Sequence, residues 1–147
     1  MTRRKNPFEL TFYEDEMGNA PAHDWIMEGL SRLKRRALGV AMEEQLEHLG
    51  IQVCRSQFGR QLGGGLFEFR LDADVSAVLT TDKPPSQPLC VRLFCHAYGS
   101  KQIVVLGGYD KGEDPSPRRQ AKEIESARAR LKAWRLLQKR KSSKARP

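Results

Sequence analysis

The stretch GLFEFRL, residues 65–71, reads as a strand with one apolar and one charged face. Phe67, Phe69 and Leu71 alternate with Glu68 and Arg70, and a side-chain period of two puts both charges opposite the apolar set. CVRLFCHA at residues 90–97 repeats the pattern, with Val91, Leu93 and Cys95 facing one way and Arg92, Phe94 and His96 the other. QIVVLGGYDKG at 102–112 is apolar on both faces, as an interior strand is, and it ends in Tyr109-Asp110-Lys111. Paired as a sheet, the three runs bring Arg70, Arg92 and Lys111 onto one surface. A rigid cationic surface suits a polyanion.

Outward from these strands the chain divides cleanly. Phe8, Leu10 and Phe12 alternate with Glu9, Thr11 and Tyr13 and predict a first strand, followed by a turn over residues 14–21. From Ala22 to Leu49 the apolar spacing of three and four (Ile26, Leu30, Leu33, Ala37, Val40, Ala41) predicts a helical pair. Gly29 splits it, Ser31 caps the second helix and Gly50 ends it. Residues 51–64 read as a connection. Residues 72–88, with Pro84, Pro85 and Pro88, read as a long excursion with room for a short strand at Val75–Leu79. Residues 98–101 form a tight hairpin link. Ser116 and Pro117 open a last helix, with Ala121, Ile124, Ala127, Leu131 and Trp134 as its apolar stripe. Residues 138–147 lack a stripe and read as a frayed basic tail, leaving a single domain over 1–137. The order predicts an α+β fold: a small antiparallel sheet of about four strands, an N-terminal helical pair and a C-terminal helix, with helices on one face.

A chain of 147 residues can bury a core without staples. With 39% hydrophobic and 30% charged residues it is neither membranous nor wholly disordered. No apolar run reaches the length of a membrane span, and residues 1–7 lack the apolar core of a signal peptide, so a cytoplasmic protein is expected. Three cysteines without a CxxC spacing (Cys54, Cys90, Cys95) are expected as free thiols, with no metal and no cofactor. The net charge of +8 is unevenly spread. Residues 117–147 hold twelve Lys/Arg against two Glu, net +10, and the remainder holds fourteen basic and sixteen acidic residues, net −2. That asymmetry suggests a nucleic-acid or ribosomal partner.

GLFEFRL, VRLF, IVVLGGYDKG and the helix RRQAKEIESARARLKAWR, in that order, resemble the phage-derived branch of HigB-like toxins. These belong to the RelE/ParE superfamily of type II toxin–antitoxin modules, and the resemblance covers roughly residues 8–135. It implies a RelE-like fold and an endoribonuclease that cuts mRNA, typically on the ribosome, held inactive by a cognate antitoxin of helix-turn-helix type. The ParE branch shares the fold and poisons gyrase, so a non-enzymatic binding module is the alternative. By resemblance the catalytic set is Arg70, Arg92 and Lys111, with His96 as the group suited to acid–base work. Tyr109, Arg118, Arg119 and Lys122 are the expected RNA contacts. Bland readings stand beside these: Arg70 salt-bridged to Glu68, His96 as a sheet-face histidine, Tyr109 as a packing ring. Gly112-Glu113-Asp114 departs from the family's second lysine, and its carboxylates are expected to repel phosphate. Whether the excursion covers the sheet face is left open.

Overall fold

The computed structural model describes residues 6–80 and 83–145. Outside them lie residues 1–5, where a signal core was sought, residues 81–82 of the excursion, and the last two residues of the basic tail. The chain runs β1 (Glu9–Phe12), α1 (Pro21–Gly29), α2 (Arg32–Ala41), a π turn over Met42–Leu46 and α3 (Glu47–Leu49). A 3-10 turn over Gly50–Arg55 then leads to β2 (Gly59–Gly63), β3 (Leu66–Asp74) and α4 (Val75–Val78). β4 (Pro88–Tyr98), β5 (Gln102–Asp110) and α5 (Pro117–Ala145) complete the α+β fold.

The sheet has five strands in the order β1-β5-β4-β3-β2 and is mixed, not an antiparallel sheet of four. β2 falls within the expected connection of residues 51–64, since Gly59-Arg60-Gln61-Leu62-Gly63 is polar and mostly exposed, as an edge strand can be. β1 runs parallel to β5, with Leu10 beside Ile103. Hairpin-length links fix direction only between sequence neighbours, and β1 pairs with a strand far along the chain, so nothing local sets its sense.

Helices cover both faces, not one. Phe67, Phe69, Leu71, Val91, Leu93, Ile103 and Val105 pack against the N-terminal helices through Ile26, Leu38 and Leu46. Leu66, Phe94, Val104, Leu106 and Tyr109 pack against Ala127, Leu131 and Trp134 of α5. The local signals behave as expected at three helix ends. Ser31 Oγ accepts the Lys34 amide at 3.3 Å, Ser116 Oγ accepts the Arg119 amide at 3.2 Å, and Gly50 takes φ +56° after α3. α5 continues past Leu137 to Ala145, so the stretch read as a frayed tail is helical over its described part.

The excursion holds a helical turn, α4, where a short strand was considered. Asp74 organises it, accepting from the Ser76 amide (3.0 Å), Ser76 Oγ (2.6 Å), Ser86 Oγ (2.8 Å) and the Gln87 amide (3.2 Å). These bonds lower the Asp74 pKa to about 2, the Ser76 hydroxyl contributing most. Val75 and Leu79 join the core beneath the N-terminal helices, so this part of the excursion packs on the side of the sheet opposite α5.

Candidate functional site

The site lies on the α5 side of the sheet. Strand alternation sends Glu68, Arg70 and Asp72 there from β3, and Cys90, Arg92 and Phe94 from β4. The register sets Glu68 beside Phe94, Arg70 beside Arg92 and Asp72 beside Cys90. β5 extends the middle row, with Tyr109 beside Arg92.

Tyr109 reaches this row because of a bulge. Phe94 pairs with Gly107 but Cys95 pairs with Val105, so Leu106 is an extra residue in β5. One inserted residue reverses which face the following side chains occupy. Val105 packs toward the N-terminal helices while Leu106 and Tyr109 both pack toward α5. Arg130 of α5 donates to the Leu106 carbonyl at 3.0 Å, satisfying the bulge.

Arg92 is the centre of the cluster, with 2% of its surface exposed. Its Nη1 and Nη2 donate to Asp72 Oδ1 and Oδ2 at 2.7 and 3.2 Å, a two-pronged pair, and Nη1 also donates to the Val91 carbonyl at 3.1 Å. Nε lies 2.9 Å from Glu68 Oε1, close enough for strong ionic attraction but without hydrogen-bond geometry. Burial opposes the charge on Arg92, yet the Asp72 carboxylate outweighs it and raises the pKa. Burial likewise pushes the Asp72 carboxyl up, and the bond from Arg92 reverses this and holds it below the usual range.

Four buried atoms in this neighbourhood have no hydrogen-bond partner: Glu68 Oε2, Arg70 Nε, Arg92 Nε and the Tyr109 hydroxyl. A buried polar atom without a hydrogen bond ordinarily costs about 1–3 kcal/mol, and here the two guanidinium nitrogens face the Glu68 carboxylate instead. Arg70, a third exposed, lies over Glu68 with Nε 3.9 Å from Oε1. Burial, then the Glu68 charge, pushes the Tyr109 hydroxyl up; burial, then Asp72, does the same for the Cys90 thiol.

Of the residues expected from sequence, Arg70, Arg92 and Tyr109 share one row, and Lys111 follows in the half-exposed turn after β5. His96 stands apart. It lies two positions beyond Phe94 on β4, about 13 Å along the strand from Arg92. Its Nδ1 is 2.8 Å from the Gly65 carbonyl, so that nitrogen carries the proton, and its ring packs edge-on against Trp134. Tyr109 is fully buried, stacked on Phe94 at 6.2 Å with the Arg119 guanidinium 5.4 Å from its ring centroid. The ring therefore has no face for an RNA base, and its hydroxyl is what it brings to the site. Arg119 is also held by Glu123, Nε to Oε1 at 2.9 Å, whereas Arg118 and Lys122 are exposed on α5.

Asp72 was the residue missed, although the alternation from Glu68 through Arg70 points to it. The Asp114 carboxylate accepts the Ser116 amide at 3.2 Å and lies 3.9 Å from Arg119. It is engaged at the start of α5 rather than free to face a phosphate. Among the described residues no three His, Cys, Asp or Glu side chains group as metal ligands would, and the three thiols are unpaired with one another. Nor is any described helix long and apolar enough to cross a membrane. Against known proteins, the sequence matches no family model, and no curated protein is significantly similar to it.

Proposed function

We propose that the chain is a HigB-like toxin of the RelE/ParE superfamily, a cytoplasmic endoribonuclease that cuts mRNA on the ribosome without a metal. A helix-turn-helix antitoxin would hold it inactive. The observation that carries this reading is the buried Glu68–Arg92 contact with unpartnered Glu68 Oε2 and Tyr109 hydroxyl beside it. Cleavage by this route makes the 2′-oxygen attack the adjacent phosphorus and the 5′-oxygen leave. The barrier lies in removing the 2′-OH proton, bearing charge on the phosphorane and protonating the leaving oxygen. In the proposed reaction the phosphate displaces Asp72 from the Arg92 fork, and Arg92 with Lys111 carries the developing negative charge. Arg70 swings off Glu68, whose free oxygen takes the 2′-OH proton, while water protonates the departing 5′-oxygen, leaving a 2′,3′-cyclic phosphate and a 5′-hydroxyl.

Arg70 is the best probe, because a third of its side chain is exposed. In a purified translation system, Arg70→Ala and Lys111→Ala are each expected to slow mRNA cleavage about 10²–10³-fold. Undiminished cutting by both would place the chemistry elsewhere.

The alternative is a ParE-like or otherwise repurposed binding module. One observation favours it: Glu68 and Asp72 already neutralise Arg92 inside the protein. Intact mRNA together with gyrase inhibition would decide for this second reading.

A further inference from the structure

A second cationic surface lies along the C-terminal half of α5. There a groove of about 480 Å³ opens beside the glycine turn that joins β2 to β3. Arg128, Lys132, Arg135 and Lys139 line it over an apolar floor of Leu131 and Leu136, with no carboxylate in the lining. The four cations recur at helical spacing and form one stripe about 16 Å long. Like charges three and four apart destabilise a helix slightly, and here no lining acid offsets them.

The opposite wall is fixed. Arg128 donates to the Leu62 and Gly63 carbonyls at 2.7 and 3.0 Å, Arg135 donates to the Gly64 carbonyl at 3.1 Å, and His96 Nδ1 donates to the Gly65 carbonyl at 2.8 Å. Gly63, Gly64 and Gly65 have φ of +87°, +65° and +87°. The φ of Gly65 favours glycine, and a Cβ there would meet Arg135 Nη2 at 2.5 Å and push that guanidinium off the turn. Each guanidinium has five N–H donors and keeps some for a ligand. Lys132 and Lys139 take no part in the clamps. Beyond His96 on the same sheet face, Tyr98 is 46% exposed and packs edge-on against Trp134 at 4.9 Å, offering a ring at that end of the sheet.

We infer that this groove binds the phosphodiester backbone of single-stranded RNA, with Tyr98 as a stacking surface for a base. The inference rests on the ribonuclease reading for the identity of the polymer and assigns that reading a second contact, distinct from the Arg92 cluster. A row of cations combined with an exposed aromatic ring is the usual means of holding single-stranded nucleic acid, and here the ring is reached through Trp134, one residue before Arg135.

The test is anisotropy of a labelled 2′-O-methyl 12-mer, which has no 2′-OH to attack, titrated against the full chain at several salt concentrations. Lys132→Ala/Lys139→Ala is expected to bind about tenfold more weakly. Its slope of log K against log salt should fall by about 1.4, two single-strand phosphate contacts at about 0.7 each. Arg32→Ala/Arg55→Ala removes the same charge elsewhere and is expected to change binding less than twofold. Equal losses in the two double variants would mean diffuse attraction and overturn the inference, as would an unchanged Lys132/Lys139 variant. Polyglutamate binding as tightly as the oligonucleotide would overturn it in favour of an acidic protein partner. Groove binding that persists while no mRNA is ever cut would sink the ribonuclease reading and leave the groove standing. Cutting that persists with no groove binding would do the reverse.

Discussion

Arg130 Nη1 donates to the Leu106 carbonyl at 3.0 Å and so ties α5 to the bulge that turns Tyr109 toward Arg92. The bond links helix position to site geometry. Arg130→Ala is expected to lose about 1–2 kcal/mol of stability, the usual worth of a charge-assisted bond to a half-buried carbonyl. Gly107→Ala should act the same way, because its Cβ would meet that Nη1 at 2.8 Å. Chemical denaturation of both variants measures this, and a loss of Tyr109 amide protection should accompany it. Full stability in both would show that the bulge persists without Arg130.

Breaking the buried charge pair from either side has unequal consequences. Arg92→Ala leaves Glu68, 1% exposed, without its cation, and is expected to cost about 3–5 kcal/mol. Glu68→Gln keeps the shape and leaves Arg92 paired with Asp72, so it should cost clearly less. Urea midpoints of the two single variants and the double variant give the coupling; additive losses would deny that the pair interacts.

Asp72 holds the fork on which a phosphate is proposed to sit. Asp72→Asn is expected to tighten binding of the same 2′-O-methyl oligonucleotide about tenfold, one charge-assisted contact no longer having to be displaced. Unchanged or weaker binding would mean that Asp72 does not compete with phosphate.

The acid limb of stability follows from the same carboxylate. Its folded pKa is depressed below the unfolded value of about 3.9, so its contribution is present above that value and is lost as pH falls through the folded pKa. Asp74, at about 2, acts with the same sign. Wild-type protein should therefore lose stability as pH drops below about 4, and Asp72→Asn should flatten part of that fall. An identical pH profile in the variant would remove Asp72 as a cause.

Asp74→Ala is expected to free the Ser76 and Gln87 amides to hydrogen exchange while leaving RNA binding and cleavage intact. The reason is location: the excursion's Val75 and Leu79 pack opposite α5. Loss of activity in a folded Asp74→Ala protein would show that the excursion reaches the site.

Periodicity alone was enough to find β3, β4 and β5, because each has a continuous buried face. It also placed Arg70 and Arg92 on one surface, since period two is a local property of each strand. Ser31, Gly50 and Ser116 were legible because capping involves neighbours in the chain. β2 escaped notice because a polar edge strand has no apolar face to repeat. The excursion's turn at Val75–Val78 depended on Asp74 side-chain bonds that no hydrophobic pattern records.

By itself, then, the sequence determined the α+β class, the helix starts and the charged faces of individual strands, all set by side-chain order over a few residues. The tertiary structure alone decided which charges are free. It buried Arg92 between Glu68 and Asp72, and it tied His96 to the Gly65 carbonyl and the Trp134 ring. It also turned Tyr109 inward through one extra residue at Leu106. The reason is that charge compensation, burial and strand phase depend on residues brought together across the sheet, and no spacing within one strand encodes its neighbour's register.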